Sequence, residues 1–350
     1  MTNRRYGLLF LLLTGLLAAL VFLSGRMISF RDVMAPQDYL ASLSESDTFG
    51  VQHSMRVRPK ILVIGDSHAY TAINYNMLAQ LLGTESIGSC TLGGSYLETI
   101  LIVLRQYEKA GALPKTVIYT TSPRQYWTDP NQAQQLAQHR VHIFASGYGD
   151  MVFSVQNLFA YLSGRKLKEH AFDQLSEKER LAAPQIEGLD ETAIRNGLDR
   201  SKDRYLDLWK SRVASCEYDK EVPKLIDELC ALIHRNHVNL YVVDIPESPW
   251  LQSQYPEWIT REYHAILHKL GQCARQVFIY SNARAGLGNR HFANRGLDPD
   301  YDYGQWNDPD FRFNGSFDVD HMNRVGASRF TAVMGRDIAE DMREQAARKQ

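Results

Sequence analysis

An excess of charge of either sign is the first thing this 350-residue chain lacks. Its 39 Lys and Arg stand against 40 Asp and Glu, a formal net charge of −1. That balance excludes nucleic-acid binding through a broad basic face, which needs a clustered surplus of Lys and Arg. Cysteine is also scarce, with four residues, Cys90, Cys216, Cys230 and Cys273. None forms a C-x-x-C pair, so zinc knuckles and thioredoxin-type dithiols drop out. An oxidising compartment would permit up to two disulfides. Four buried thiols are the simpler reading, because a core of this size needs no covalent staples. Internal repeats and low-complexity stretches are missing as well, which leaves an ordinary globular chain.

Long apolar runs are absent with one exception. Tyr6 to Gly25 is 20 residues without a charge and holds nine Leu. A helix of that length spans ~30 Å, the thickness of a bilayer's hydrocarbon core. Arg4 and Arg5 precede it, and positive charge tends to stay cytoplasmic, so everything after Arg26 is expected outside. The competing reading is a cleaved signal peptide with the same destination, although no small-x-small site follows the run. Residues 1–26 are therefore expected to be an inner-membrane anchor, 27–58 a polar connector, and 59–345 a periplasmic or otherwise extracytoplasmic domain.

Within that domain short apolar runs alternate with amphipathic stretches. Lys60–Gly65, Thr116–Thr121, Val238–Asp244 and Gln276–Ser281 read as buried strands, with a weaker one around Glu85–Ile87. Helical patterns cover Asn74–Leu82, Tyr96–Ala110, Val222–Arg235, Thr260–Gly271 and Met322–Arg343. Near-continuous apolar strands alternating with helices imply a parallel sheet covered on both faces, an α/β three-layer sandwich of order 2-1-3-4-5. The polar segment 128–218, helix-prone over Asp190–Arg212, interrupts the alternation and is expected to be a lid or partner surface.

The chemistry gathers at two distant points. Gly65-Asp66-Ser67-His68-Ala69 closes the first strand, at the sheet end where ligands bind. A Ser on that turn exposes its hydroxyl near backbone N–H groups; alone, it is equally a helix cap. Far away, Phe317-Asp318-Val319-Asp320-His321-Met322-Asn323 precedes the last helix. A hydroxyl needs a base of suitable pKa to become a nucleophile, and a carboxylate on the other imidazole nitrogen fixes the tautomer. Ser67, His321 and Asp318 thus form a hypothesis of nucleophile, base and orienter.

These motifs resemble the first and last blocks of the SGNH (GDSL) hydrolase superfamily over roughly residues 58–340. The G-x-S-x-G elbow of ordinary α/β-hydrolases is absent. The apolar run, GDSHA, the Leu92-Gly93-Gly94-Ser95 turn and DxDHMNxxGAxxFT are more narrowly similar to membrane-anchored envelope acyltransfer proteins. Those include the proteins of alginate O-acetylation and of teichoic-acid D-alanylation. The resemblance implies an O-acyltransferase acting on an envelope polysaccharide through an acyl-serine, with a multi-pass membrane acyltransferase as donor partner and no cofactor. It implies Ser67 as nucleophile, His321 as base, Asp318 as orienter, and the N–H groups of Ser67 and Gly94 as oxyanion hole. Asp66, His68, Arg124 and Trp306 are weaker substrate-binding expectations. The superfamily's third-block Asn is missing, since Thr121-Ser122-Pro123-Arg124 stands where it would fall; Ser122 or Arg124 could replace it. An esterase or deacetylase on the same triad is the alternative, as is a non-catalytic partner of a membrane acyltransferase.

Other features carry less. The carboxylates of Asp298–Gly304 mismatch a calcium loop, with the Gly one place late. His264 and His268 share a helix face but have no third ligand nearby, so no metal is expected. Asn314-Gly-Ser316 fits a glycosylation acceptor and, first of all, a turn. Tyr70, Tyr96, Tyr126, Trp127, Trp250 and Trp306 are candidates for stacking on sugar rings.

Overall fold

The computed structural model describes residues 3–27, 58–84, 86–91, 94–128, 186–200, 204–292 and 319–348, with 55, 158, 162, 163 and 184 singly. Most of the 27–58 connector, Trp306, Asp318, the 298–304 loop and Asn314 lie outside the described residues.

Five strands form one parallel sheet: β1 Ile61–Gly65, β2 Ile87–Thr91, β3 Thr116–Thr121, β4 Asn239–Asp244 and β5 Gln276–Phe278. Their spatial order is β2-β1-β3-β4-β5, as the alternation implied. Alternate residues feed opposite cores because side chains alternate across a strand. Leu62, Ile64, Val117, Tyr119, Leu240 and Val242 meet helices α4 (Leu97–Lys109), α7 (Val222–Arg235) and α9 (Glu257–Leu270). Ile61, Val63, Ile118, Tyr241 and Val243 meet α2 (Ser67–Ala72), α3 (Tyr75–Leu82), α10 (Asn282–Ala285) and α11 (Arg324–Arg348). Three layers result.

Some expectations need correcting. The weak run ending at Ile87 is only the entry to β2, whose Ile-Gly-Ser-Cys-Thr sequence has little apolar signal. Within the helix-prone stretch Asp190–Arg212 the described residues are helical over α5 (Glu191–Arg200) and α6 (Arg204–Ser215). The last helix starts at Arg324 because Asn323 caps it, accepting from Gly326 N through its side chain and from Ala327 N through its carbonyl. Cys230 and Cys273 are disulfide-bonded, joining α7 to the end of α9, while Cys90 and Cys216 are buried thiols. The reading of four thiols therefore holds for two.

At the N-terminus, α1 runs Asn3–Met27. Phe10, Leu11, Leu12, Leu13, Leu16, Leu17, Leu20 and Leu23 are exposed on it. Among the described residues no helix is long and apolar enough to cross a membrane. The described side chains of α1 are Phe10 to Val21 and Leu23.

The insertion leaves and re-enters at one point. Trp127 bridges Tyr218 in antiparallel fashion, Thr128 N donates to Glu217 O, and Asp219 N donates to Tyr126 O. Beyond that clasp Ile186, Ile194, Leu198, Leu206 and Trp209 build a third apolar cluster with Trp250 and Leu251 of α8 (Pro249–Ser253). It encloses Val319 and Val325, so the insertion buttresses the loop that carries His321.

Candidate active site

The site lies at the carboxyl ends of β1, β2 and β3. Gly65 ends β1 at its crowded crossing with β3: a Cβ there would fall 2.0 Å from Thr120 Oγ1 and 3.0 Å from Ala69 Cβ. Thr120 Oγ1 donates across the same crossing to Ile64 O at 3.1 Å. Only a residue without a side chain fits this approach. Asp66 then caps α2, accepting from His68 N at 2.9 Å, and puts Ser67 at the first helical position.

His321 is delivered from the other end of the chain. Asn323 N donates to His291 O, and Asn323 Nδ2 donates to Arg290 O at 2.8 Å, which fastens the loop before α11. Gly326 allows that approach, since a Cβ would meet His291 O at 2.7 Å. Farther along α11, Asn74 N donates to Thr331 Oγ1, and Thr331 Oγ1 donates to Ala72 O. The serine helix and the histidine helix are thus locked together. His321 Nε2 comes to 2.8 Å from Ser67 Oγ, across 254 positions of sequence. A neutral imidazole protonated on Nδ1 accepts the hydroxyl's hydrogen bond there.

At His321 Nδ1 the described carboxylate is Asp320, with Oδ1 at 3.1 Å. Asp318, the expected orienter, lies outside the described residues. Asp320 Oδ2 faces Arg124 Nη1 at 3.3 Å, and Asp320 is 1% exposed. Arg124, a weak substrate-binding expectation, therefore holds the carboxylate beside the histidine. Ser122 Oγ is buried without a hydrogen-bond partner among the described residues.

The two expected oxyanion donors come from neighbouring strand ends. β1 and β2 pair in register, Gly65 opposite Thr91, so Ser67 and Gly94 follow adjacent termini. Gly94 has a φ of 68°, a left-handed conformation that glycine adopts at no steric cost.

Asp66 and His68, expected to touch substrate, are instead inside the fold at 3% and 1% exposure. They pair with each other, His68 Nδ1 lying 3.0 and 3.1 Å from the two Asp66 oxygens. Burial opposes the charge on His68. Asp66, by charge and hydrogen bond, outweighs that and keeps the imidazole above its ordinary pKa. Burial likewise raises Asp66, yet His68 and Arg124 bring it below the usual carboxylate value.

Glu247 was not foreseen. It follows β4 by three residues, is 1% exposed, and accepts from Tyr255 Oη at 2.5 Å. Burial lifts its pKa to about 7 against the pull of His68 and Tyr255. Asp244, at the end of β4, is raised to about 7 by burial despite a 2.7 Å hydrogen bond from Tyr263. A polar residue at a strand's carboxyl end was the only advance signal for either.

Beside Arg124 opens a cleft of about 400 Å³ lined by Tyr96, Trp127, Thr128, Trp209, Arg212 and Glu217, among others. One wall comes from the insertion, another from the turns after β2 and β3. Of the aromatic candidates Tyr96 and Trp127 line it; Tyr126 and Trp250 are core residues. His264 and His268 sit exposed on α9, and no cluster able to hold a metal occurs among the described residues. No family model matches the chain, and no curated protein matches it.

Proposed function

We propose that the chain is an SGNH-like serine O-acyltransferase that modifies an envelope polysaccharide, tethered by its apolar N-terminal run and facing away from the cytoplasm. The observation that carries the reading is the 2.8 Å contact of Ser67 Oγ with His321 Nε2 at the carboxyl end of a parallel strand. His321 takes the hydroxyl proton as Ser67 Oγ attacks the donor's acyl carbonyl. The donor's bond to its leaving group breaks, and the leaving group takes that proton from His321. A polysaccharide hydroxyl then gives its proton to His321 and its oxygen attacks the acyl-serine, whose C–Oγ bond breaks as Ser67 is reprotonated. Backbone N–H groups of Ser67 and Gly94 hold the oxyanion of each tetrahedral intermediate, a contribution of ~10²–10³ in rate per donor.

Three further observations support this reading, and the first of them bears on the choice against an esterase. The cleft beside Arg124 has aromatic and cationic walls suited to seating an acceptor in place of water. The Cys230–Cys273 disulfide suits an oxidising compartment. The uncharged run Tyr6–Gly25 in the sequence suits a tether, with a multi-pass membrane acyltransferase as the donor's source.

The test offers the full chain an activated acetyl ester with and without envelope glycans, and measures acetyl-glycan against free acetate. Transfer exceeding hydrolysis is the expected result. Acetate alone, whatever glycan is added, makes the protein a hydrolase.

A further inference from the structure

The triad chemistry leaves a second histidine unused. His68 stacks on His321 with ring centroids 5.0 Å apart and planes 18° from parallel. We propose that His68 is an internal cation, clamped by Asp66 and facing Asp320 and Glu247, that positions His321 over Ser67 and keeps it in the unprotonated form the nucleophile needs. The proposal rests on the reading of Ser67 as nucleophile and His321 as base.

Geometry leaves His68 one comfortable state. Its Nδ1 is held by both Asp66 oxygens, and the same Asp66 caps its backbone N–H, so the ring cannot turn away. The Nε2 edge then points at carboxylate oxygens: Asp320 Oδ2 at 3.7 Å and Glu247 Oε1 at 3.9 Å. Among the described residues neither His68 Nε2 nor Glu247 Oε1 has a hydrogen-bond partner, and both groups are buried. A neutral imidazole would turn a lone pair toward the Asp320 carboxylate, an acceptor facing an acceptor. A protonated one presents an N–H to that carboxylate, and buried charge persists only when paired in this way.

The charged groups around His68 come from four elements. Asp66 belongs to its own turn, Glu247 to the loop after β4, and Asp320 and His321 to the loop before α11. Arg124, after β3, acts on it through Asp320. Asp320 is consequently divided: Oδ1 serves His321 Nδ1, while Oδ2 faces the cations Arg124 and His68. That division keeps Asp320 aimed at both rings. A positive ring stacked on His321 disfavours a second positive charge beside it, so the resting His321 stays a base until the proton of Ser67 arrives.

The experiment follows labelling of Ser67 by a fluorophosphonate probe in the detergent-solubilised full chain between about pH 5 and pH 9. His68→Gln is compared with wild type. Without the cation, His321 protonates more readily, and the pH midpoint of labelling moves upward by about one unit or more. Well below both midpoints the variant is then labelled at about a tenth of the wild-type rate, while the alkaline plateau stays within a few-fold. An unmoved midpoint, with rates lowered uniformly across pH, overturns the proposal and leaves His68 as packing. Imidazole ¹⁵N resonances of the wild-type chain give a second readout that does not depend on the variant's folding. Both nitrogens of His68 protonated at pH 7 is the expected result, and a neutral ring overturns the proposal. Wild type left unlabelled at Ser67 while His68 is doubly protonated defeats the nucleophile reading instead, so the two failures are distinct.

Discussion

Two regions of this molecule handle charge in opposite ways. At the carboxyl ends of β1 and β4, Asp66, His68 and Glu247 are almost fully buried and Asp244 is held by Tyr263. On the outer face of α4 and α7, Arg105 pairs with Glu228 and Arg235 pairs with Glu108 in largely exposed positions. Burying ionisable groups costs stability unless each is paired, whereas exposed pairs contribute little either way. The fold thus concentrates its costly groups around Ser67 and His321. A region that bears such a cost without gaining stability is where function is expected.

The comparison can be sharpened by substitution, beginning with the reacting pair. Ser67→Ala and His321→Ala should each lower acyl transfer by ~10⁴-fold or more while leaving the melting temperature near wild type. A loss of only a few-fold in either would remove the site from the chemistry. Next in size is Gly65→Ala, whose methyl meets Thr120 Oγ1. It should destabilise by ~1–3 kcal/mol, read by denaturant unfolding, and reduce labelling of Ser67. The double variant with Thr120→Ala should recover part of that stability, and no recovery would mean that the clash lies elsewhere.

Asp244 tests the burial cost itself. Its folded pKa is raised from 3.8 to about 7. Between those values the native state holds a proton that the unfolded state has released, so this group's contribution to stability falls as pH rises through that window. Asp244→Asn removes the loss. Its stability relative to wild type should therefore grow from pH 5 to pH 8 by on the order of 2–4 kcal/mol, measured by denaturant melts at both pH values. A constant difference across pH contradicts the raised value. Smallest of all, Glu228→Gln on the outer face should change stability by under ~1 kcal/mol, and less still in high salt.

The sheet was legible because its strands are short apolar runs ended by turns, as at Ile61–Gly65 and Val117–Thr121. β2 was nearly invisible because Gly88, Ser89 and Thr91 are buried by neighbours rather than by their own hydrophobicity. Ser67 and His321 were legible since a strand-terminal Ser and a late Asp-x-x-His have few other joint uses. The rest of the site is tertiary. Asp66 and His68 looked like substrate contacts, and only their burial and their pairing with each other in the fold show that they face inward. Glu247 has no motif, and its environment arises when the loop after β4 meets the loop before α11, where Ser248 N donates to Val319 O.

The most direct test is intact-protein and peptide mass spectrometry after brief exposure of the full chain to an activated acetyl ester, beside the Ser67→Ala variant. One acetyl group on Ser67 in wild type, absent from the variant and discharged when a glycan acceptor is added, is the predicted result. No acetyl-Ser67, or equal acetylation of the variant at another residue, would contradict the assignment of Ser67 as nucleophile.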